Sequence, residues 1–243
     1  MKASVVPVDS GVFGATVLAI DEFSAADFAR FEADYIAAHR PVYVSCKVPL
    51  GQVRDIHALE GHGFHLVECQ IRSSIDLRRE WDTSAYPYRF AEVTNRDDLE
   101  AVLEIARTTF IHDRFSVDPL LPPEISGKRY CRYVEQSFDA PNESVYRLYD
   151  PATNRTVAFK THRLLDKGEV LFLLGGVHPK FQRLGLGVIN SFWEFNTLRQ
   201  KGYVRGVTHI SAGNHHVFNV EIGRLGFKVL ATYAVMRKVY ASP

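Results

Sequence analysis

Val177-His178-Pro179-Lys180-Phe181-Gln182-Arg183-Leu184-Gly185-Leu186-Gly187 is the stretch on which the reading of this chain turns. It follows an apolar run from Val170 to Val177 and opens an amphipathic segment that continues to about Lys201. That order predicts a strand, a Pro-bearing turn and a glycine-spaced loop leading into a helix. Such a loop turns several backbone N–H groups toward one point, and the helix N-terminus adds partial positive charge there. The product is a pocket suited to a pyrophosphate. Gly185 and Gly187 let the backbone approach a ligand with no Cβ in the way, and Lys180 and Arg183 add charge at the rim. The plainer alternative is a strand–turn–helix whose glycines serve close packing. A dinucleotide-binding turn is rejected. It needs an early strand and an acidic residue about 20 residues on, whereas this motif is late, its strand exit carries Pro179, and the corresponding position is near Val207.

The segment resembles the acyl-CoA signature of the GNAT N-acetyltransferase superfamily, Gln/Arg-x-x-Gly-x-Gly/Ala, matched by Gln182, Gly185 and Gly187. The resemblance implies an α/β fold with a mixed, splayed central sheet. It also implies acetyl-CoA as acyl donor, held along Gly175, Gly176 and Val177, by Gln182, Arg183, Leu184, Gly185, Leu186 and Gly187, and near Asn214. The alternative for Asn214 is a simple N-cap, and both roles are compatible. Thr109-Phe110-Ile111-His112-Asp113-Arg114-Phe115-Ser116-Val117-Asp118-Pro119 is similar to a loop of the branch that contains dTDP-fucosamine acetyltransferase. That implies an acceptor amine on a nucleotide-linked amino sugar from surface-polysaccharide biosynthesis. The substrate-side candidates are His112, Asp113, Arg114 and Phe115: Arg114 for a two-pronged phosphate or carboxylate contact, Phe115 or Tyr130 for stacking on a base. The alternative is that Arg114 pairs with Asp113 or Asp118 and stiffens the loop.

The rest of the composition narrows the class. The chain has 243 residues, 46% hydrophobic and 23% charged, with a formal net charge of +1. That gives no electrostatic case for nucleic acid or an anionic membrane. No apolar run approaches the ~20 residues of a membrane span, and the N-terminus has no long apolar signal-type core, so the expected location is the cytoplasm. Cys46, Cys69 and Cys131 are far apart, odd in number and without metal-ligand spacing, so neither a disulfide framework nor a metal is expected.

Two parts are expected: residues 1–85, a smaller α/β part, and 88–243, the acyltransferase part. In the first, the pattern predicts a strand over Val12–Ile20, a helix from Ser24 to His39, a strand over Pro41–Val48, a helix over Val53–Glu60 and a strand over Phe64–Leu77. A hinge candidate follows at Trp81–Arg89. In the second, the order is strand, two helices, three strands, helix, strand, helix and a strand-pair region from Phe227 to Tyr240. Helix-end, Gly-Phe and strand occur twice, at Ala58–Val67 and Gly223–Leu230, so the first part reads as a degenerate half of the same fold. It has no signature loop and is assigned no cofactor. Its apolar face is buried either within the chain or against a second copy in a homodimer.

Acetyl transfer to an amine needs a neutral amine, a stabilised oxyanion and an acid for the leaving thiolate. Many members of the superfamily supply the acid from a Tyr seven residues beyond the Asn, and here that position is Glu221; the spacing to Gly226-Phe227 is one residue longer than usual, so an offset helix would put Ile222 in that slot instead. Glu221 serves only if burial raises its pKa toward 6–7. Tyr233 is the backup. No acid lies in Leu171–Gly176, which leaves water, His112, Asp113 or His162 as the base. Acylation of another small-molecule or peptide amine, and non-catalytic acyl-CoA binding, are the competing readings.

Overall fold

A computed structural model describes residues 1–240. The chain runs β1 (Lys2–Val5), α1 (Pro7–Phe13), β2 (Val17–Glu22), α2 (Phe28–Phe31), a π-helical stretch (Glu32–Ile36), α3 (Ala37–His39), β3 (Tyr43–Pro49), α4 (Val53–Gly61) and β4 (His65–Asp76). It continues with β5 (Arg89–Glu92), α5 (Arg96–Thr109), α6 (Arg114–Val117), α7 (Glu124–Asp139), β6 (Glu143–Asp150), β7 (Arg155–Leu164) and β8 (Glu169–Val177). The last elements are α8 (Leu186–Gln200), β9 (Arg205–Ser211), α9 (His215–Val220), a second π-helical stretch (Glu221–Leu225) and β10 (Lys228–Val239).

Among the described residues, ten strands form one sheet in the order β1-β2-β3-β10-β4-β9-β8-β7-β6-β5. The two parts interleave, because β10 lies between β3 and β4. The pairing pattern repeats about the β10–β4 ladder. β2 runs parallel to β3 as β8 runs parallel to β9, and β1 is antiparallel to β2 as β7 is to β8. Gly63 and Gly226 both take left-handed backbone, at φ 80° and 84°. Each is followed by a buried Phe, Phe64 or Phe227, which anchors the chain into the next strand.

Five expectations need correcting. The segment expected as a helix from Ser24 is helical only from Phe28, after a turn over residues 25–27 in which the Ser24 hydroxyl bonds Asp27 rather than a helix amide, and its middle is π-helical. Val12 and Phe13 belong to α1, not to a strand: Pro7 sits in the first turn, where its missing N–H costs nothing, and Gly14 closes the helix at φ 66°. The region Phe227–Tyr240 holds one long strand rather than a pair, because β4 fills the slot beside β9. Trp81 is no hinge. Its N–H and C=O are both held by the Asn196 side chain, at 3.0 and 2.7 Å, and its ring is buried against Phe195. Finally, α8 is not amphipathic in the ordinary sense, since Asn190, Ser191, Glu194 and Asn196 are buried along with its apolar residues.

Helices cover both faces. Phe159 of β7 packs with Ile105 of α5, whereas the next residue, Lys160, hydrogen-bonds Ser191 of α8. Successive strand residues point to opposite faces, so α5 and α8 flank the sheet from opposite sides.

Candidate functional site

The parallel pairing of β8 with β9 is short. It joins Glu169 to Arg205, Val170 to Gly206 and Leu171 to Val207, and then stops. The cause lies in β8. Thr161 pairs with Leu174 and His162 with Phe172, so Leu173 is an extra residue, a β-bulge that bends its strand away from the neighbour. The Thr161 hydroxyl accepts the Leu174 N–H at 3.1 Å and holds the bend. On its other side β9 stays paired with β4 out to Ser211. Beyond Leu171 the sheet therefore carries a split, with Gly175, Gly176 and Val177 on one bank.

The split leads to the signature loop. Arg183 and Gly185 have left-handed backbone, φ 66° and 77°, and Gly185 caps α8. Among the described residues, the amides of Arg183 to Gly187 have no protein acceptor. A Cβ on Gly185 would meet nothing within 4 Å, and one on Gly187 would touch only Val177 at 3.9 Å. Open space above unpaired amides at a helix N-terminus suits a pyrophosphate. The Gln182 side chain braces the loop by donating to the Val177 carbonyl at 3.3 Å. Leu184 is exposed, while Leu186 turns into the core. Asn214 caps α9, its Oδ1 accepting the Val217 N–H at 3.2 Å.

Glu221 stands where α9 becomes π-helical, and the Phe227 N–H returns to its carbonyl at 2.9 Å. The π-helical turn accommodates one extra residue between Asn214 and the Gly226–Phe227 corner. The Glu221 carboxylate reaches Ser73 Oγ of β4 at 3.5 Å. Burial pushes its pKa up to about 7, reinforced by Glu194 and partly offset by the Lys160 charge. Across the split stand Lys160, His162 and Glu194. His162 is one of the base candidates read from the sequence. Lys160 and Glu194 are not, and the signal that could have found them is charge where the period demands core: Lys160 shares a strand face with His162, and Glu194 lies among Ile189, Phe195 and Leu198.

Tyr233 is not near Glu221. Arg72, which lines the cavity that Tyr233 also lines, is followed by Ser73, which faces Glu221; the two sides of the sheet are different. That cavity, about 590 Å³, is open to solvent and carries Lys47, Arg72, Arg114, His209 and Tyr233. Lys47 stands 4.4 Å over the Tyr233 ring. Loss of hydration, then the charges of Arg114 and Arg72, push the Lys47 ammonium down to about 8 despite Glu68 nearby. Burial, Lys47 and Arg72 together push His209 down to about 4. Among the described residues, Nε of both Arg72 and Arg114 is buried without a partner.

The four loop candidates separate. Arg114 faces the cavity and stands 3.9 Å from Asp9, not on Asp113 or Asp118; Asp118 is taken by Arg237, at 2.6 and 2.9 Å. Asp113 caps α6, accepting from the Phe115 N–H at 2.8 Å and the Ser126 hydroxyl at 2.9 Å. Phe115 is 1% exposed and lies in a core with Val17 and Tyr43, so it has no ring face for a ligand base. Tyr130 is likewise buried, stacked on Phe110 at 4.0 Å. His112 is exposed on the loop.

No family model matches the sequence, and neither does any curated protein sequence. Solved structures do match. The chain is similar to a GCN5-related N-acetyltransferase from Sphaerobacter thermophilus over 98% of its own length and 76% of that chain, with a TM-score of 0.67 at 14% identity. The chain has the GNAT fold. A GCN5-related N-acetyltransferase from Kribbella flavida aligns over 92% of this chain and 81% of its own, with a TM-score of 0.60 and 15% identity. A tandem GNAT protein from the clavulanic acid biosynthesis pathway aligns over 93% and 76%, with a TM-score of 0.62 and 14% identity. These likenesses span both parts of the chain.

Proposed function

We propose that this protein is an acyl-CoA-dependent N-acyltransferase that moves acetyl from acetyl-CoA to the amine of a nucleotide-linked amino sugar by direct attack in a ternary complex. The observation that carries the reading is the split beyond Leu171, continuous with a loop of unpaired amides from Arg183 to Gly187. A free strand edge offers hydrogen bonds to an extended amide-bearing arm, and the loop suits its pyrophosphate. These residues fit the donor, which supplies the activated acyl group.

The acceptor reading draws on the other face. Lys47, Arg72 and Arg114 gather positive charge in the cavity beside the split. Asp21 and Glu169 also line it, Asp9 lies 3.9 Å from Arg114 and Glu68 acts on Lys47, yet Nε of both Arg72 and Arg114 stays buried without a partner among the described residues, which suits an anionic ligand such as a sugar linked to phosphate. Arg114 keeps the substrate role given to it by the loop resemblance, while Asp113 and Phe115 support the loop that carries it. Glu221, with a pKa near neutrality, is suited to hold the proton lost by the amine. In this reading residues 88–243 are the acyltransferase part, and 1–85 are a half-copy that lends β4 and one wall of the cavity.

The test is free-thiol release from acetyl-CoA against nucleotide-linked amino sugars, with peptide amines and simple amines as controls. Turnover confined to the amino sugars supports the full proposal. Turnover on peptide amines keeps the acyl transfer and removes the sugar. Failure to bind CoA removes both.

A further inference from the structure

Beneath the split, between β7 and α8, lies a cluster of buried charged and polar side chains. Glu194 and His162 have side chains only 1% exposed each, with Oε1 and Nδ1 3.1 Å apart. Lys160, two residues before His162 and so on the same face of β7, donates to Ser191 Oγ at 3.0 Å. Its ammonium is 3.6 Å from Glu194 Oε2. Burying such charges costs several kcal/mol per ion unless the geometry compensates. Here it compensates incompletely, since Glu194 Oε2 and His162 Nε2 are buried with no hydrogen-bond partner among the described residues.

The position of the lysine gives the cluster its meaning. Lys160 pairs with Gly175 across the β7–β8 ladder. A Cβ at Gly175 would stand 3.2 Å from the Lys160 nitrogen. The missing side chain at 175 is therefore what lets the ammonium lie over β8 beside the split. The opposite bank carries Glu221. Lys160 and Glu194 both act on its ionisation, in opposite senses, yet it forms no ion pair with Lys160. Held by Ser191 and Glu194, the ammonium is near enough to act on Glu221 without being neutralised by it.

We propose that Lys160 is a catalytic residue of the acyl transfer, its ammonium hydrogen-bonding the departing CoA sulfur, with Glu194 and Ser191 as the residues that position it. This rests on the acyltransferase reading above. The acceptor nitrogen bonds to the thioester carbonyl carbon, whose π pair moves to oxygen. When the carbonyl re-forms, the C–S bond breaks and its electron pair leaves on sulfur. The thiolate stays as a charge-assisted pair with Lys160, and the proton lost by the amine passes to Glu221. Charge and protons balance, and the lysine stays protonated. A cation beside a thiolate lowers the pKa of the thiol, so this arrangement does the work of the absent tyrosine.

The test uses CoA itself and reads its thiol, not turnover. The thiolate absorbance of CoA bound to the full-length protein is titrated in wild type, Lys160→Met, Lys160→Arg and Ser191→Ala. In wild type the bound thiol is expected to titrate about one pH unit or more below free CoA, a tenfold gain in thiolate. Lys160→Met returns it to the free value, Lys160→Arg keeps most of the depression, and Ser191→Ala keeps part of it. If bound CoA titrates alike in wild type and Lys160→Met, the proposal is overturned and the acyl-CoA reading stands. Should Lys160→Met fail to fold, an unaltered titration in Ser191→Ala and Lys160→Arg together with no depression in wild type overturns it equally. Wild type that binds no CoA sinks the proposal and the acyl-CoA reading together.

Discussion

Glu221→Gln tests the enclosed carboxylate beneath the split through stability rather than activity. In the folded chain burial raises this carboxyl from 4.5 to about 7. The sign follows from linkage. The folded state holds its proton more tightly than the unfolded state, so between pH 4.5 and 7 the unfolded state binds fewer protons and stability falls as pH rises. At about 1.4 kcal/mol per pH unit, wild type forfeits roughly 3 kcal/mol across that window. A glutamine side chain carries no proton to lose. The difference in unfolding free energy, variant minus wild type, is therefore expected to grow by roughly 3 kcal/mol from pH 4.5 to pH 8. Urea unfolding at a series of pH values measures it. The constant cost of altering the 3.5 Å contact with Ser73 drops out, because only the change with pH is read. A difference that stays flat from pH 4.5 to 8 would show that Glu221 is ionised freely, and the proton-holding role would fall with it.

Gly187→Asp should separate binding from folding. A Cβ there meets nothing nearer than 3.9 Å, and an acid in the first turn of a helix is favoured by the helix dipole. The urea midpoint should hold while CoA affinity, read by calorimetry, falls at least several-fold, because the carboxylate repels a pyrophosphate seated on the same amides. Gly185→Val should lose both, because φ 77° costs a β-branched residue roughly 1–2 kcal/mol. Arg72→Met is expected to raise the KM for an anionic acceptor about tenfold or more, the worth of a charged hydrogen bond, with the KM for acetyl-CoA unmoved; equal effects on both would argue against separate faces. Asp9→Asn leaves Arg129, held at 2.7 Å, buried without its counter-ion, and should destabilise by about 3–5 kcal/mol in the same urea assay.

Most of the second part was legible in the chain before it folded. An apolar run, Pro179 and the spaced glycines at 185 and 187 carry a strand, turn and helix because each is a local matter: φ freedom, a missing N–H and a period of two or 3.6. Glu169–Val177 is legible as a strand for that reason, and so is Gly226 as a helix stop. What stayed open was long-range. Nothing local tells that β4 inserts beside β9, which turned an expected strand pair into the single β10. The bulge at Leu173, and with it the split, depends on register against Thr161 and His162, and register is a property of two strands. Phe115 looked available beside Arg114 until tertiary packing buried it. Lys160, His162, Glu194 and Glu221 come from three separated stretches of chain, and only the packing of α8 and α9 on one sheet face gathers them. Ionisation follows the same division: the carboxyl of Glu221 is written in the chain, but the burial that raises its pKa exists only once the fold has closed around it.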